Sequence, residues 1–133
     1  MSNLKPLVLI IEDNIDFQNL YGMVAEGAGY DVESILDGNE AISRLEREPI
    51  PTLVLLDARL PHVGGEEILI AARANKTWAK VPIYILTADI RAARMQGNFT
   101  RSAQRADGVL EKGAEAISQL RELFAKYKPK DSA

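Results

Sequence analysis

The chain has no cysteine and only one histidine among its 133 residues. These absences exclude disulfide bonds, thiolate metal sites and sites built from several histidines. The sequence also lacks any run of ~18 consecutive apolar residues, and its start has no secretion signal. A formal net charge of −3 provides no general attraction to nucleic acid. We therefore expect a cytoplasmic protein that contacts neither membrane nor nucleic acid directly.

The length and composition predict a single globular domain. With 47% hydrophobic and 26% charged residues, the chain can bury one core without support from a metal or a disulfide. We interpret residues 1–133 as that domain, with a core from about 7 to 127 and a short tail at 128–133. On this interpretation no effector domain is attached.

Apolar strands alternate with helical patterns along the whole chain. This order predicts an α/β fold in which a doubly wound, five-stranded parallel sheet carries five helices on its two faces. The segment Asp31–Ile35 alternates polar and apolar residues, as expected of an edge strand. Later helices are predicted near Asn39–Glu48, Gly65–Asn75 and Glu115–Tyr127. The helix between Ile90 and Ala106 is harder to place, and it carries four arginines: Arg91, Arg94, Arg101 and Arg105.

Four predicted strands end in groups that suit one chemistry. Asp57 closes the apolar third strand, Glu12 and Asp13 follow the first, Thr87 ends the fourth and Lys112 follows the fifth. The carboxyl ends of parallel strands meet at one sheet edge, where open α/β folds bind ligands. Carboxylate oxygens suit Mg²⁺, while a lysine and a hydroxyl can contact phosphoryl oxygens. We therefore predict a site in which Asp57 forms an acyl phosphate with the help of Mg²⁺.

Each of these residues also has an ordinary structural explanation. Asp57 could cap a strand, Asp13 or Asn14 could be a helix N-cap, and Thr87 is a good strand former. Their joint occurrence at four strand ends favours the functional interpretation. The lone His62 is predicted to be a surface loop residue. No glycine-rich phosphate loop follows the first strand, so neither a dinucleotide site nor a P-loop is expected.

From about Leu7 to Tyr127 the chain resembles the receiver domains of two-component response regulators. The matching motifs are Val8-Leu9-Ile10-Ile11-Glu12-Asp13-Asn14, Leu55-Leu56-Asp57-Ala58-Arg59-Leu60-Pro61 with Gly65, Pro82-Ile83-Tyr84-Ile85-Leu86-Thr87-Ala88, and Ala106-Asp107-Gly108-Val109-Leu110-Glu111-Lys112. The resemblance implies a flavodoxin-like sheet with strand order 2-1-3-4-5. It also implies that Asp57 accepts a phosphoryl group from the phosphohistidine of a histidine kinase or of a histidine phosphotransfer protein.

The resemblance further assigns the remaining site residues. Asp13, Asp57 and the backbone carbonyl of Arg59 would bind Mg²⁺, with Glu12 assisting. Thr87 and Lys112 would contact the phosphoryl oxygens. Such a protein signals through altered contacts with a downstream effector, as a monomer or a phosphorylation-dependent homodimer, and it turns over no small-molecule substrate.

Three features depart from the receiver pattern. Val109 stands where the family often has an aromatic switch residue. A shift of Thr87 toward the phosphoryl group therefore cannot be followed by an aromatic ring turning inward. Gly113 replaces the proline that usually follows Lys112, which predicts a trans peptide bond there. The stretch from Thr87 to Lys112 is also a few residues longer than usual, so its helix and loops are expected to be remodelled.

Two local hypotheses go beyond the resemblance. Arg59 and Asp89 are expected to approach the phosphoryl site and screen it from water, which would slow the loss of phosphate. The arginines Arg91, Arg94, Arg101 and Arg105 are expected to form a positive face for an acidic partner, although a merely solvated helix face explains them equally well.

Three alternatives remain at the level of sequence. The first is a degenerate receiver that acts as a phosphorylation-independent docking module, which Val109 and Gly113 make plausible. The second is a Mg²⁺-dependent phosphohydrolase, although that class usually carries its nucleophile on the first strand. The third is an FMN carrier, which is disfavoured because Glu12 and Asp13 stand where a phosphate-binding loop would be needed.

Overall fold

The computed structural model describes residues 5–91 and 106–130. In these residues five parallel strands form one sheet, as the sequence pattern predicted, and their order is β2-β1-β3-β4-β5, as the resemblance implied. The strands are β1 (Leu7–Ile11), β2 (Asp31–Ile35), β3 (Leu53–Asp57), β4 (Ile83–Thr87) and β5 (Gly108–Glu111).

Four helices are described in these same residues: α1 (Ile15–Gly27), α2 (Gly38–Arg44), α3 (Gly65–Ala74) and α4 (Ala114–Tyr127). The segment 92–105, which holds most of the additional predicted helix together with Arg94, Arg101 and Arg105, lies outside the described residues. No helix within 5–91 and 106–130 has the length and apolar character needed to cross a bilayer.

The sheet is covered on both faces because alternate strand residues point to opposite sides. On one face, Leu9, Ile11, Val54, Leu56 and Ile85 pack with residues of α2 and α3. On the other, Val8, Ile10, Leu53, Leu55 and Leu86 pack with residues of α1 and α4. Apart from Asp57 and Thr87 at their carboxyl ends, the central strands β3 and β4 are therefore hydrophobic, which explains their continuous hydrophobic runs.

The strand β2 lies at one edge of the sheet and pairs only with β1. The burial of its residues does not alternate strictly along the strand. Asp31 and Ser34 are exposed, Val32 and Glu33 are half-buried, and Ile35 is buried. The predicted edge strand is confirmed.

The prediction that α2 extends to Glu48 is wrong, because the helix ends at Arg44. Beyond it the amides of Leu45, Glu46 and Arg47 donate to carbonyls three residues earlier, as in a tighter turn. The fully buried Arg44 guanidinium donates to the Arg47 carbonyl at 2.7 Å and to the Pro49 carbonyl. It thus satisfies carbonyls that a continued helix would have paired with its own amides.

Two loop predictions are confirmed. His62 is exposed in the loop after β3, and its Nδ1 lies 2.9 Å from Asp37 Oδ2. The bond between Lys112 and Gly113 is trans, since the cis peptide found in the described residues lies elsewhere. Gly113 has a φ of 138°, a conformation that favours glycine over residues with a side chain.

Candidate functional site

The carboxyl ends of four strands bring the predicted residues to one edge of the sheet. Asp57 ends β3 and Thr87 ends β4, while Glu12 and Lys112 directly follow β1 and β5. Backbone hydrogen bonds between neighbouring strands fix how far along the sheet each residue lies. For example, the Lys112 amide donates to the Thr87 carbonyl at 2.8 Å. The meeting of these residues at one edge is therefore a direct consequence of strand register.

Lys112 connects the two buried carboxylates of the site. Its Nζ lies 2.7 Å from Glu12 Oε1 and 3.1 Å from Asp57 Oδ2. Glu12 and Asp57 are 0% and 4% exposed, so water screens these ion pairs poorly. A single cation thus holds two negative groups together in a largely desolvated place.

Burial dominates the acid–base behaviour of Glu12. Desolvation raises the pKa of this carboxyl to about 7, with the nearby Asp57 adding to the rise and the hydrogen bond to Lys112 opposing it. For Lys112, burial acts to lower the pKa, but the hydrogen bond to Glu12 and the charge of Asp57 outweigh it and the pKa is raised. Lys112 is consequently a permanent cation at neutral pH.

Asp13 completes an acidic group with Glu12 and Asp57. One carboxylate oxygen from each of the three lies within 4.8 Å of the others. Glu12 and Asp57 are buried and Asp13 is exposed, so the group opens to solvent on the side of Asp13. Three hard oxygen donors against one lysine leave an excess of negative charge, which fits a divalent cation such as Mg²⁺.

The loop after β3 folds back onto Asp57. The Arg59 amide donates to Asp57 Oδ1 at 3.1 Å, while the Arg59 side chain is exposed. A Cβ built on Gly65 would collide with the Asp57 carbonyl and press on Ala58. Glycine at this position therefore allows the start of α3 to pack directly against the backbone of Asp57.

Thr87 lies beside the acidic group, and its hydroxyl is engaged locally. The hydroxyl donates to the Asp89 carbonyl at 3.3 Å and accepts from the Asp89 amide at 3.2 Å. Thr87 as a whole is 8% exposed. The described contacts of this hydroxyl are therefore with the backbone of Asp89.

Three residues of α1 contribute to the site in ways that the sequence did not reveal. The Phe17 ring lies under Lys112, with Nζ 5.0 Å from its centroid, and it stacks on Tyr21. The pKa of Tyr21 is raised to about 12 by burial and by the charges of Glu12 and Asp57. Gln18 binds the backbone beside Glu12. The sequence predicted only that Phe17 and Tyr21 are core residues, because their spacing shows that they share a helix face and not what they contact.

Comparison with known families now identifies the class of protein. The family model of the response regulator receiver domain matches residues 8–125 of this chain. The chain belongs to this family.

Individual relatives agree with this assignment. The DNA-binding response regulator MtrA of Mycobacterium tuberculosis is 34% identical over 88 residues, which are 66% of this chain and 37% of that protein. The phosphate regulon regulator PhoB of Rhizobium meliloti is 36% identical over 83 residues, or 62% of this chain and 36% of that protein. The match thus spans little more than a third of these relatives.

A solved structure supports the fold over nearly the whole chain. The receiver domain of a sensor histidine kinase from Pseudomonas aeruginosa PAO1 superposes with a TM-score of 0.78 and 28% sequence identity. The match covers 92% of this chain and 96% of that domain, which was crystallised with a magnesium ion coordinated in its active-site cleft.

Proposed function

We propose that Asp57 is the phosphoacceptor of a signalling switch. The observation that carries this proposal is the pairing of the Asp57 carboxylate with Lys112 Nζ, 3.1 Å away, at the same sheet edge as Glu12 and Thr87. The Asp57 carboxylate can act as a nucleophile toward phosphorus. Once it is phosphorylated, the Lys112 cation beside it can stabilise the negative charge of the phosphoryl group.

The reaction is a transfer from the phosphohistidine of a histidine kinase or histidine phosphotransfer protein. An Asp57 carboxylate oxygen attacks phosphorus, the P–N bond to the imidazole breaks, and the leaving nitrogen takes the electron pair. The aspartyl phosphate later reacts with water, which returns inorganic phosphate and the free carboxylate. The protein contributes mainly by positioning the partners and stabilising charge, as in other phosphoryl transfers.

The acidic group fits Mg²⁺ held by Glu12, Asp13, Asp57 and the backbone carbonyl of Arg59. When bound, the ion neutralises negative charge on the transferring group. Lys112 contacts one phosphoryl oxygen, and the Thr87 hydroxyl turns from the backbone of Asp89 to donate to another. Both contacts form only once phosphate is present, so they can convert phosphorylation into a local rearrangement.

The output is an altered set of protein contacts. The chain turns over no small-molecule substrate and acts in the cytoplasm, as a monomer or a phosphorylation-dependent homodimer. A downstream effector would bind the basic stretch of sequence that contains Arg91, Arg94, Arg101 and Arg105. The effector is a protein with an acidic surface, because this stretch of sequence is basic in a chain with a net charge of −3.

Incubation with acetyl phosphate and Mg²⁺ tests the proposal. We expect the intact mass of wild type to rise by one phosphoryl group. Asp31→Asn should show the same rise, because Asp31 is an exposed aspartate at the amino end of β2, away from the carboxyl edge that holds the site. Asp57→Asn should show no rise, and neither should wild type after removal of Mg²⁺. Absence of phosphorylation in wild type would instead support a phosphorylation-independent docking module.

The screening role of Arg59 and Asp89 is part of this proposal. Arg59 is exposed next to the Asp57 carboxylate, and Asp89 is held to Thr87 through two backbone contacts. We expect Arg59→Ala to lose phosphate faster than wild type because water reaches the aspartyl phosphate more easily. Equal autodephosphorylation rates would remove the idea.

A further inference from the structure

Gln18 is a nearly fully buried polar residue in the first turn of α1, with 4% of its surface exposed. Its side-chain Nε2 lies 2.7 Å from the Ile10 carbonyl, 3.1 Å from the Glu12 carbonyl and 3.0 Å from the Ile35 carbonyl. Carbonyl oxygens only accept hydrogen bonds, so the amide nitrogen is the donor to all three and shares its two hydrogens among them. One side chain thus ties α1 to the ends of β1 and β2.

These bonds fix the backbone of Glu12 on both sides. Its amide donates to the Ile35 carbonyl at 2.9 Å, and its carbonyl accepts from Gln18. Because a peptide unit is planar, fixing the Glu12 carbonyl also fixes the plane that carries the nitrogen and Cα of Asp13. Gln18, which lies on α1, therefore helps to set the orientation of the Glu12–Asp13 unit.

Asp13 depends on this support more than Glu12 does. The Glu12 carboxylate is held by Lys112 and by the Asn14 amide. The Asp13 side chain is exposed, and within the described part of the chain no hydrogen bond or ion pair holds its carboxylate. Its approach to the other two carboxylates thus relies on its backbone.

We propose that Gln18 is a positioning residue that holds the Glu12–Asp13 unit in the geometry required to bind the divalent cation. The proposal rests on the metal site of the proposed function and adds a residue that touches neither metal nor phosphate. Support of this kind typically changes metal affinity by about 10- to 100-fold when it is removed.

Mg²⁺ binding to the full chain, measured by isothermal titration calorimetry, tests the role of Gln18. We expect Gln18→Met, which keeps the volume but removes the amide, to raise the Kd for Mg²⁺ by about tenfold. Phosphorylation of this variant by acetyl phosphate should be slow at low Mg²⁺ and should return to the wild-type rate at saturating Mg²⁺. Because bound Mg²⁺ also stabilises the folded chain, circular dichroism must show that the variant is folded without Mg²⁺; rescue of a folded variant then reports metal affinity and not stability.

Tyr30→Phe is the matched control, because its buried hydroxyl donates to the Phe124 carbonyl at 2.7 Å, away from the acidic group. Its Kd for Mg²⁺ should equal that of wild type. An unchanged Kd in Gln18→Met, or equal weakening in both variants, would overturn the role of Gln18. A wild type that binds no Mg²⁺ would overturn the proposed metal site itself and this role with it.

If Gln18→Met does not fold, Gln18→Asn takes its place. The side chain is one methylene shorter, so its amide cannot reach all three carbonyls, and weaker Mg²⁺ binding is again expected. Wild-type affinity in a folded Gln18→Asn would overturn the proposal.

Discussion

Lys112 and Glu12 form a buried ion pair at the carboxyl edge of the sheet, with Nζ 2.7 Å from Oε1. The same Nζ is 3.1 Å from Asp57. We therefore expect Lys112 and Mg²⁺ to compete for the Glu12 and Asp57 carboxylates, since each neutralises the same negative charge.

Replacing this lysine should separate metal binding from phosphorylation. We expect Lys112→Met to bind Mg²⁺ more tightly, because the competing cation is gone, and to be phosphorylated at least about tenfold more slowly, because a charge-stabilising contact is lost. Calorimetry and the rate of mass increase with acetyl phosphate measure the two effects. Lys80→Met, which removes an exposed charge in the loop before β4, should change neither. Weaker Mg²⁺ binding in Lys112→Met would contradict the competition.

The contact of α3 with Asp57 should be sensitive to a single methyl group. A Cβ at Gly65 collides with the Asp57 carbonyl, whereas a Cβ at Gly64 has nothing within 4 Å. We expect Gly65→Ala to lose about 1–3 kcal/mol of unfolding free energy through overpacking and to be phosphorylated more slowly. Gly64→Ala should retain the wild-type phosphorylation rate. Urea unfolding and acetyl phosphate labelling compare the two variants, and equal behaviour would argue against the close contact.

Arg44 should matter for stability far more than its neighbour Arg47. Both contact Glu33, but Arg44 Nε is 2.9 Å away with the side chain fully buried, while Arg47 is 3.6 Å away and 58% exposed. Arg44 also lies over the Trp78 ring. We expect Arg44→Met to cost about 3 kcal/mol or more, because Glu33 and the carbonyls of Arg47 and Pro49 lose the donor that the buried guanidinium provides. Arg47→Met should cost at most about 1 kcal/mol. Urea unfolding distinguishes them, and similar midpoints would contradict this difference.

The N-cap of α2 should make stability depend on acid pH. The Asn39 amide, bonded to Asp37 Oδ1 at 2.7 Å, and then the contact with His62 hold the pKa of Asp37 below its ordinary value. A lowered pKa means stabilisation that is complete above the ordinary aspartate pKa of about 3.9 and is lost as pH falls through the folded pKa.

Asp37→Asn tests this dependence because asparagine keeps a capping oxygen but cannot ionise. We expect wild type to be more stable than the variant at pH 7 and the difference to shrink as the pH falls below about 4. Urea unfolding across this range measures it, with Asp31→Asn as the control for an exposed aspartate. A difference that grows toward low pH would contradict the assigned sign.

Much of the fold could be predicted from the sequence because it follows from local pattern. Continuous apolar runs identified β1, β3 and β4 as strands buried on both faces, and the alternating Asp31–Ile35 identified the edge strand. The end of α2 could not be predicted in this way. Whether a helix continues past Arg44 depends on where that guanidinium finds acceptors, and these lie in the following loop.

The sequence by itself determined which chemical groups stand at the strand ends, and parallel pairing then requires that Glu12, Asp57, Thr87 and Lys112 meet at one edge. Only the tertiary structure decided how they interact. Lys112 is shared between two carboxylates, the Thr87 hydroxyl is held by Asp89, and Gln18 reaches three carbonyls from another element. Periodicity states which face of an element is buried. It does not state which polar atom on that face meets which acceptor, because this depends on distances between elements that are far apart in the chain.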